Sequence, residues 1–334
     1  MTGGEADRRA QIAALWREAG LGAGTGLTLQ PAARGGNNLV FIAEEAGRRA
    51  VAKCYFTQGA GRDRLDGEWR FLSYARDVAG AASVPAPLAR DDKARIALHE
   101  FRAGRRPDGV EPGMVEQAAR LLRTLNGAEA TDLPLAADAC FTLAEQLALI
   151  EARLARLAGA EEPASLVGRM TAYWGTLRPA LIEGYAALDL SPTDELPEPE
   201  RCISPSDFGF HNALAGEDGT LSFVDFEYAG WDDPAKTLCD FFLQPAVPVD
   251  EAYFEAFFAT AFGGRPGAGR LRERTALLRP LFALKWCCIM LNPFLPDLAA
   301  RARFAQPDGD DLNRRRERLD KAWHSFNILT GTRH

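Results

Sequence analysis

The stretch Ser204-Pro-Ser-Asp-Phe-Gly-Phe-His-Asn212, followed by Val224-Asp-Phe-Glu227, decides how this sequence is read. Asp207 precedes Asn212 by five positions, and Asp225 lies eighteen beyond Asp207. Asp218-Gly219 sits between them with apolar residues on both sides, the signature of a tight turn between two strands. Residues 202–226 therefore read as a loop, a strand, a turn and a second strand. That arrangement brings an acid, an amide and a second acid together. An amide oxygen and a carboxylate suit a hard divalent cation such as Mg²⁺.

Upstream, residues 6–19 place Ile12, Leu15, Trp16 and Ala19 at helical spacing. Residues 27–33, 39–45 and 49–56 read as three strands, broken by turn residues. Residues 62–79 read as a helix with Leu65, Trp69, Leu72, Tyr74 and Ala75 on one side, and two further strands end at Phe101. From Glu111 the character changes to long helices over 111–126, 140–159 and 163–188, and helices resume after Pro234. The expected architecture is α+β in two lobes. Residues 1–101 form an antiparallel β-sheet lobe with one inserted helix, and residues 102–334 form a larger, mainly helical lobe that carries the hairpin.

Composition excludes more than it proposes. The chain has 334 residues with 39 Lys+Arg against 46 Asp+Glu, a formal charge of −7. That balance argues against a nucleic acid or an anionic membrane as the main partner. Four histidines leave little scope for a multi-His metal site. Six cysteines without C-x-x-C spacing read as free buried thiols in a reducing compartment. The N-terminus lacks a signal-peptide core, and the apolar run Leu281–Leu291 is interrupted by Lys285, so the cytoplasm is expected. No Walker-type loop and no G-x-S-x-G elbow occurs. The glycines of residues 20–26 have the wrong spacing for a dinucleotide fingerprint, and a helix precedes them where a strand should.

The Asp–Asn spacing and the later Asp resemble the catalytic loop and metal-binding segment of protein kinases. Asp207-Phe-Gly209 spells the kinase metal motif, but residues 185–200 contain no Asn that could complete a catalytic loop upstream of it. Asp207 is accordingly assigned as the catalytic base, with Asn212 and Asp225 as metal ligands. Lys53, in the third strand, matches the lysine that clamps the α- and β-phosphates, and Glu68 in the next helix is its expected ion-pair partner. Gly35, Gly36 and Asn38 belong to the turn expected to cover the phosphates, and Glu100 and Phe101 open the hinge expected to meet adenine.

The wording of these motifs resembles the aminoglycoside phosphotransferase and choline kinase group of small-molecule kinases. Gly35-Gly-Asn-Asn-Leu-Val-Phe41 is similar to that group's glycine loop, and Asp225-Phe-Glu-Tyr-Ala-Gly-Trp-Asp-Asp-Pro234 to its metal-binding segment. The resemblance implies a protein-kinase-like fold, ATP, Mg²⁺ and transfer of the γ-phosphoryl group to a hydroxyl of a small metabolite such as a sugar, amino sugar or amino alcohol.

Two departures matter: Pro205 stands where the group carries a loop-bracing histidine, and the usual Asp after Asp-Pro is displaced to Asp240. Pro205 motivates a rival reading as a nucleotide-binding pseudokinase, and an antibiotic kinase would share the chemistry with a different acceptor. Five acids in residues 189–200, leading into the catalytic loop, would suit a cationic acceptor. Lys285 and Asn292 are candidates for lining its pocket.

Overall fold

The computed structural model describes residues 3–32, 38–56, 62–130, 132–296, 298 and 311–332. Its first part is a five-stranded antiparallel sheet: β1 (Thr28–Pro31), β2 (Leu39–Glu45), β3 (Arg48–Cys54), β4 (Pro87–Asp91) and β5 (Ile96–Glu100), in the order β1-β2-β3-β5-β4. Helix α1 (Gly3–Glu18) buries Ile12, Leu15 and Trp16 against one face, where Ala43, Ala50, Ala52, Ile96 and Leu98 meet it. Ala46 and Gly47 turn β2 into β3 with φ of 51° and 79°, the positive pair that a two-residue hairpin requires.

Helix α2 (Arg64–Ser73) starts from Asp63, whose side chain accepts from the Asp66 N–H, and continues as a wider π-helical turn through Val78. Its Leu65 packs with Tyr55 and Ala97 of the sheet lobe, whereas Phe71, Leu72, Tyr74 and Ala75 belong to the core of the helical lobe. The helix is thus a rigid tie between lobes, and Trp69, expected on its packed side, is only partly buried.

The second lobe contains α3 (Pro112–Leu125), α4 (Leu143–Leu157), α5 (Ala164–Ala187), α6 (Pro234–Leu243), α7 (Phe254–Ala261), α8 (Ala268–Met290) and α9 (Asp311–Thr330). The expected hairpin is β7 (Ala213–Ala215) paired with β8 (Leu221–Phe223) around Gly219. A second small ladder, β6 (Cys202–Ser204) with β9 (Gly230–Asp232), was not expected. Its three-residue strands carry no alternating pattern to read. All six cysteine thiols are buried and unbridged. No helix among the described residues is long and apolar enough to cross a membrane.

Candidate active site

The loop after β6 is built by alternation. Phe208 and Phe210 are buried anchors, packing on Phe241 with ring centroids 5.2 and 5.5 Å away. The residues flanking this pair, Asp207 and His211, stay only partly buried. Ser204 Oγ accepts from the Ser206 N–H at 3.0 Å, and Ser206 adopts φ 66°, which swings the chain so that Asp207 follows. A Cβ on Gly209 would come within 2.8 Å of His211 Nδ1, so glycine makes room for the imidazole. The Asp-Phe-Gly spelling here is the product of core anchoring and ring clearance.

His211 Nε2 lies 3.1 Å from Asp207 Oδ1. Asn212 Nδ2 donates to the Asp207 carbonyl at 2.9 Å and to Oδ2 at 3.3 Å. Burial pushes the Asp207 carboxyl upward, but the hydrogen bonds from His211 and Asn212 and the charge of Lys285 hold it below the ordinary aspartate value. The carboxylate keeps 37% of its side-chain surface open, enough to meet a ligand. With Nδ2 spent on Asp207, the Asn212 amide oxygen is left to face another partner.

The second acid is coupled to this loop through the backbone, because Val224 N–H donates to the Asn212 carbonyl at 2.9 Å. Asp225 itself has φ 70°, a left-handed conformation that costs about 1 kcal/mol for a residue with a Cβ. Lys53 Nζ holds it there, 2.5 Å from Asp225 Oδ1 and 2.6 Å from Glu68 Oε2. Burial works against the Lys53 charge, yet Asp225, Glu68 and Glu227 more than offset it and raise its pKa. Glu68 uses its other oxygen to accept from the Phe226 N–H at 3.0 Å, and Phe226 stacks on Phe71 at 4.7 Å. One carboxylate therefore fixes both the lysine and the segment that carries Asp225.

Behind Glu68 lies a buried relay that sequence reasoning missed. The Tyr55 hydroxyl donates to Glu68 Oε2 at 2.7 Å, and His99 Nε2 meets the Tyr55 oxygen at 3.2 Å. The hydroxyl proton is spent on Glu68, so His99 must be the donor in the second bond. Burial, with Lys53 adding repulsion, pushes His99 down to about 3, which keeps the ring neutral. Tyr55, just past β3, and His99, inside β5, are single buried polar residues and leave no spacing signal in the sequence.

Asn38, expected to touch phosphate, is buried at the start of β2 and fully engaged: Nδ2 donates to Glu227 Oε2, and Oδ1 accepts from the Phe56 N–H at 3.2 Å. It ties the sheet lobe to the segment after Asp225. Gly35 and Gly36 lie outside the described residues. Glu100 ends β5 with its carboxylate on the Ala86 N–H at 3.0 Å and on Arg102 at 2.9 Å. Phe101 lies under the Arg49 guanidinium, 3.7 Å from the ring centroid. Beyond it, Arg105 pairs with Ala215 of β7, and Gly104 is required there because a Cβ would meet the Ala215 oxygen at 2.8 Å. Among the described residues, the backbone groups from Phe101 to Gly104 find no hydrogen-bond partner.

Lys285 lies inside the helical lobe, close enough for its charge to act on Asp207. It is buried and ion-paired with Asp240 at 2.7 Å, so the displaced acid and the lysine answer each other inside the helical lobe. Asp233 caps α6 through the Ala235 N–H at 2.8 Å and also pairs with Arg274.

Glu68, Asp225 and Glu227 bring carboxylate oxygens within 4.8 Å of one another, a group that could hold a cation. Lys53 Nζ already sits among all three, 3.8 Å from Glu227 at the farthest. The oxygens Lys53 leaves unused, one from Asp225 and the amide oxygen of Asn212, are hard ligands that could hold a divalent cation.

A sheet lobe with a buried Lys–Glu pair, joined by a hinge to a helical lobe carrying Asp207, Asn212 and Asp225, defines the class as a kinase-like phosphotransferase. Residues 28–274 match the model of the phosphotransferase enzyme family, and the chain belongs to that family. Among solved structures it is similar to a choline kinase from Cryptosporidium parvum Iowa II, at 13% identity and a TM-score of 0.57, covering 97% of both chains. It is also similar to the choline kinase LicA from Streptococcus pneumoniae, at 16% identity and a TM-score of 0.56, covering 94% of this chain and 99% of that one. The streptomycin–ATP–APH(2")-IIa ternary complex aligns at 14% identity and a TM-score of 0.55, over 78% and 85% of the two chains. Identities this low carry the two-lobe fold. No curated protein matches the chain at the level of sequence.

Proposed function

We propose that this phosphotransferase moves the γ-phosphoryl group of ATP to a hydroxyl of a small metabolite, with Asp207 as the residue that holds the acceptor. The observation that carries the reading is the pairing of two constraints on one loop. Asn212 fixes Asp207 through Nδ2, while its backbone carbonyl fixes the segment bearing Asp225.

In this reading Asp207 accepts a hydrogen bond from the acceptor hydroxyl, whose oxygen attacks the γ-phosphorus. The bond from phosphorus to the β,γ-bridging oxygen breaks, ADP leaves, and the hydroxyl proton ends on Asp207. A carboxylate held below its ordinary value is a weak base, so proton transfer comes late and orientation is its main contribution. Asn212 and Asp225 would hold Mg²⁺, which when bound neutralises developing phosphate charge. Lys53, set by Glu68, would clamp the α- and β-phosphates. The free backbone groups from Phe101 to Gly104 would receive adenine.

Active chemistry is favoured over the pseudokinase reading by what replaces the missing loop histidine. Pro205 cannot donate, but Ser204, Asn212 and His211 supply the bonds that shape the loop. Six buried thiols suit the reducing cytoplasm, where we place the reaction. The test is incubation of the protein and MgATP with a metabolite extract, followed by mass spectrometry for a new phosphorylated species. Binding of MgATP with no product from any hydroxylated acceptor would instead support the pseudokinase.

A further inference from the structure

Between the start of α2 and the segment after Asp225 lies a cavity of about 380 Å³, lined by Arg62, Arg64, Leu135, Ala136, Asp138 and Tyr228 among others. Its charges do not balance. Arg62 directs its guanidinium to the carbonyls of Glu227, Leu135 and Ala229, so its hydrogen bonds are met with no carboxylate in reach. Burial lowers its pKa by more than Tyr228, Asp232 and Glu227 raise it. Asp138 is engaged by Arg153.

Arg64 is less provided for. It is 7% exposed, and its buried Nη1 has no hydrogen-bond partner. Its nearest carboxylate oxygen, Glu227 Oε1, is 4.0 Å away, too far for a hydrogen bond, while the other oxygen of that carboxylate, Oε2, faces Asn38 and Lys53. The Tyr228 ring lies 5.8 Å from its guanidinium carbon. A buried guanidinium with an unmet donor is costly to the fold. A ligand that supplies the missing oxygens removes that cost on binding.

We propose that this cavity is an anion-recognition subsite in which Arg64, backed by Arg62, takes a carboxylate or phosphate group borne by the acceptor. It rests on the kinase reading above and narrows it to hydroxylated metabolites that carry a negative group. That is opposite in sign to the cationic acceptor suited to residues 189–200, where Asp194 is turned onto the Ser191 N–H and Glu195 pairs with Arg201. Glu227 connects the two regions, because one carboxylate approaches both Lys53 and Arg64. The same oxygen-rich chemistry could be presented by the terminal phosphate of the nucleotide.

The test is calorimetry on the full chain with orthophosphate as probe, titrated both alone and after saturation with the magnesium complex of a non-hydrolysable ATP analogue. Wild type is compared with Arg64→Met and Arg64→Lys. The expected result is phosphate binding to the analogue-saturated wild type, weakened at least tenfold in Arg64→Met and less in Arg64→Lys, with MgADP and analogue affinities unchanged. Arg64→Met is also expected to unfold at no lower temperature than wild type in the absence of ligand, since it removes an unmet charge. Loss of analogue affinity alone would give the anion to the nucleotide and overturn the acceptor assignment. Phosphate binding indifferent to Arg64, or absent from wild type, would overturn the subsite. Failure of MgADP to bind wild type would count against the kinase reading, and the titrations of phosphate alone still decide the role of Arg64.

Discussion

His211 Nε2 stands 3.1 Å from Asp207 Oδ1, and Gly209 leaves the space in which the imidazole ring lies. The contact makes His211 a positioning residue for the carboxylate proposed to meet the acceptor. A hydrogen bond to a charged acceptor contributes about 1.5–3 kcal/mol. His211→Ala is therefore expected to lower kcat by about tenfold to a hundredfold while leaving the KM for ATP within a factor of about two. His211→Gln, which restores a donor, should regain part of the loss. Gly209→Ala should reproduce the defect by displacing the ring. An equal rise in the KM for ATP would point to general damage instead.

Asp225→Asn keeps the shape of the side chain and removes the charge that faces Lys53 and that is proposed to hold the metal. Magnesium–nucleotide binding, followed by calorimetry, is expected to weaken by at least about tenfold, since hard-cation sites depend on carboxylate charge. Unchanged affinity would take the metal away from Asp225.

Tyr55→Phe removes the hydroxyl that joins Glu68 to His99 and strands the His99 donor in the core. A buried unsatisfied group costs about 1–3 kcal/mol, so urea unfolding should show a loss in that range. Nucleotide affinity should fall only a few-fold, because Lys53 still reaches Glu68 directly at 2.6 Å.

His99 gives the fold a definite pH dependence. Its folded value, pushed down to about 3 by burial, lies below the ordinary 6.5. Between those limits the unfolded chain binds the extra proton, so stability is full above about pH 6.5 and is lost as pH falls toward 3. The contribution of this one group approaches about 1.4 kcal/mol per pH unit in the middle of that window. His99→Gln should flatten the slope when unfolding free energies are measured across it, and an unchanged slope would place the protonation elsewhere.

Ala46 occupies the first position of the β2–β3 turn at φ 51°, where a Cβ is strained. Ala46→Asn, which tolerates that region, is expected to stabilise the protein by about 0.5–1 kcal/mol in denaturant unfolding, with no change in nucleotide binding.

The spacing of Asp207, Asn212 and Asp225 was legible because it is short-range: one loop and one hairpin set it, and the turn at Gly219 is written in the sequence. Lys53 and Glu68 were legible for a similar reason, one strand and one helix apart. Tyr55, His99 and Arg64 were not, because each owes its role to what lies across a lobe boundary or a sheet. The same limit hid the partner of Lys285, since Asp240 is 45 positions away in sequence. Asn38 was placed in the right turn, but its side chain reaches Glu227 on the other lobe. The ladder of β6 with β9 escaped because Gly-Trp-Asp gives no strand pattern, and its register comes from the packing of two loops.

The most direct test of the central claim compares wild type with Asp207→Asn, each incubated with MgATP and a metabolite extract, with products followed by mass spectrometry and nucleotide binding by calorimetry. Wild type should yield a metabolite heavier by one phosphoryl group, and Asp207→Asn should yield none while binding MgATP with nearly wild-type affinity. Product formed by Asp207→Asn at the wild-type rate would contradict the assignment of Asp207 and, with it, the account of the site.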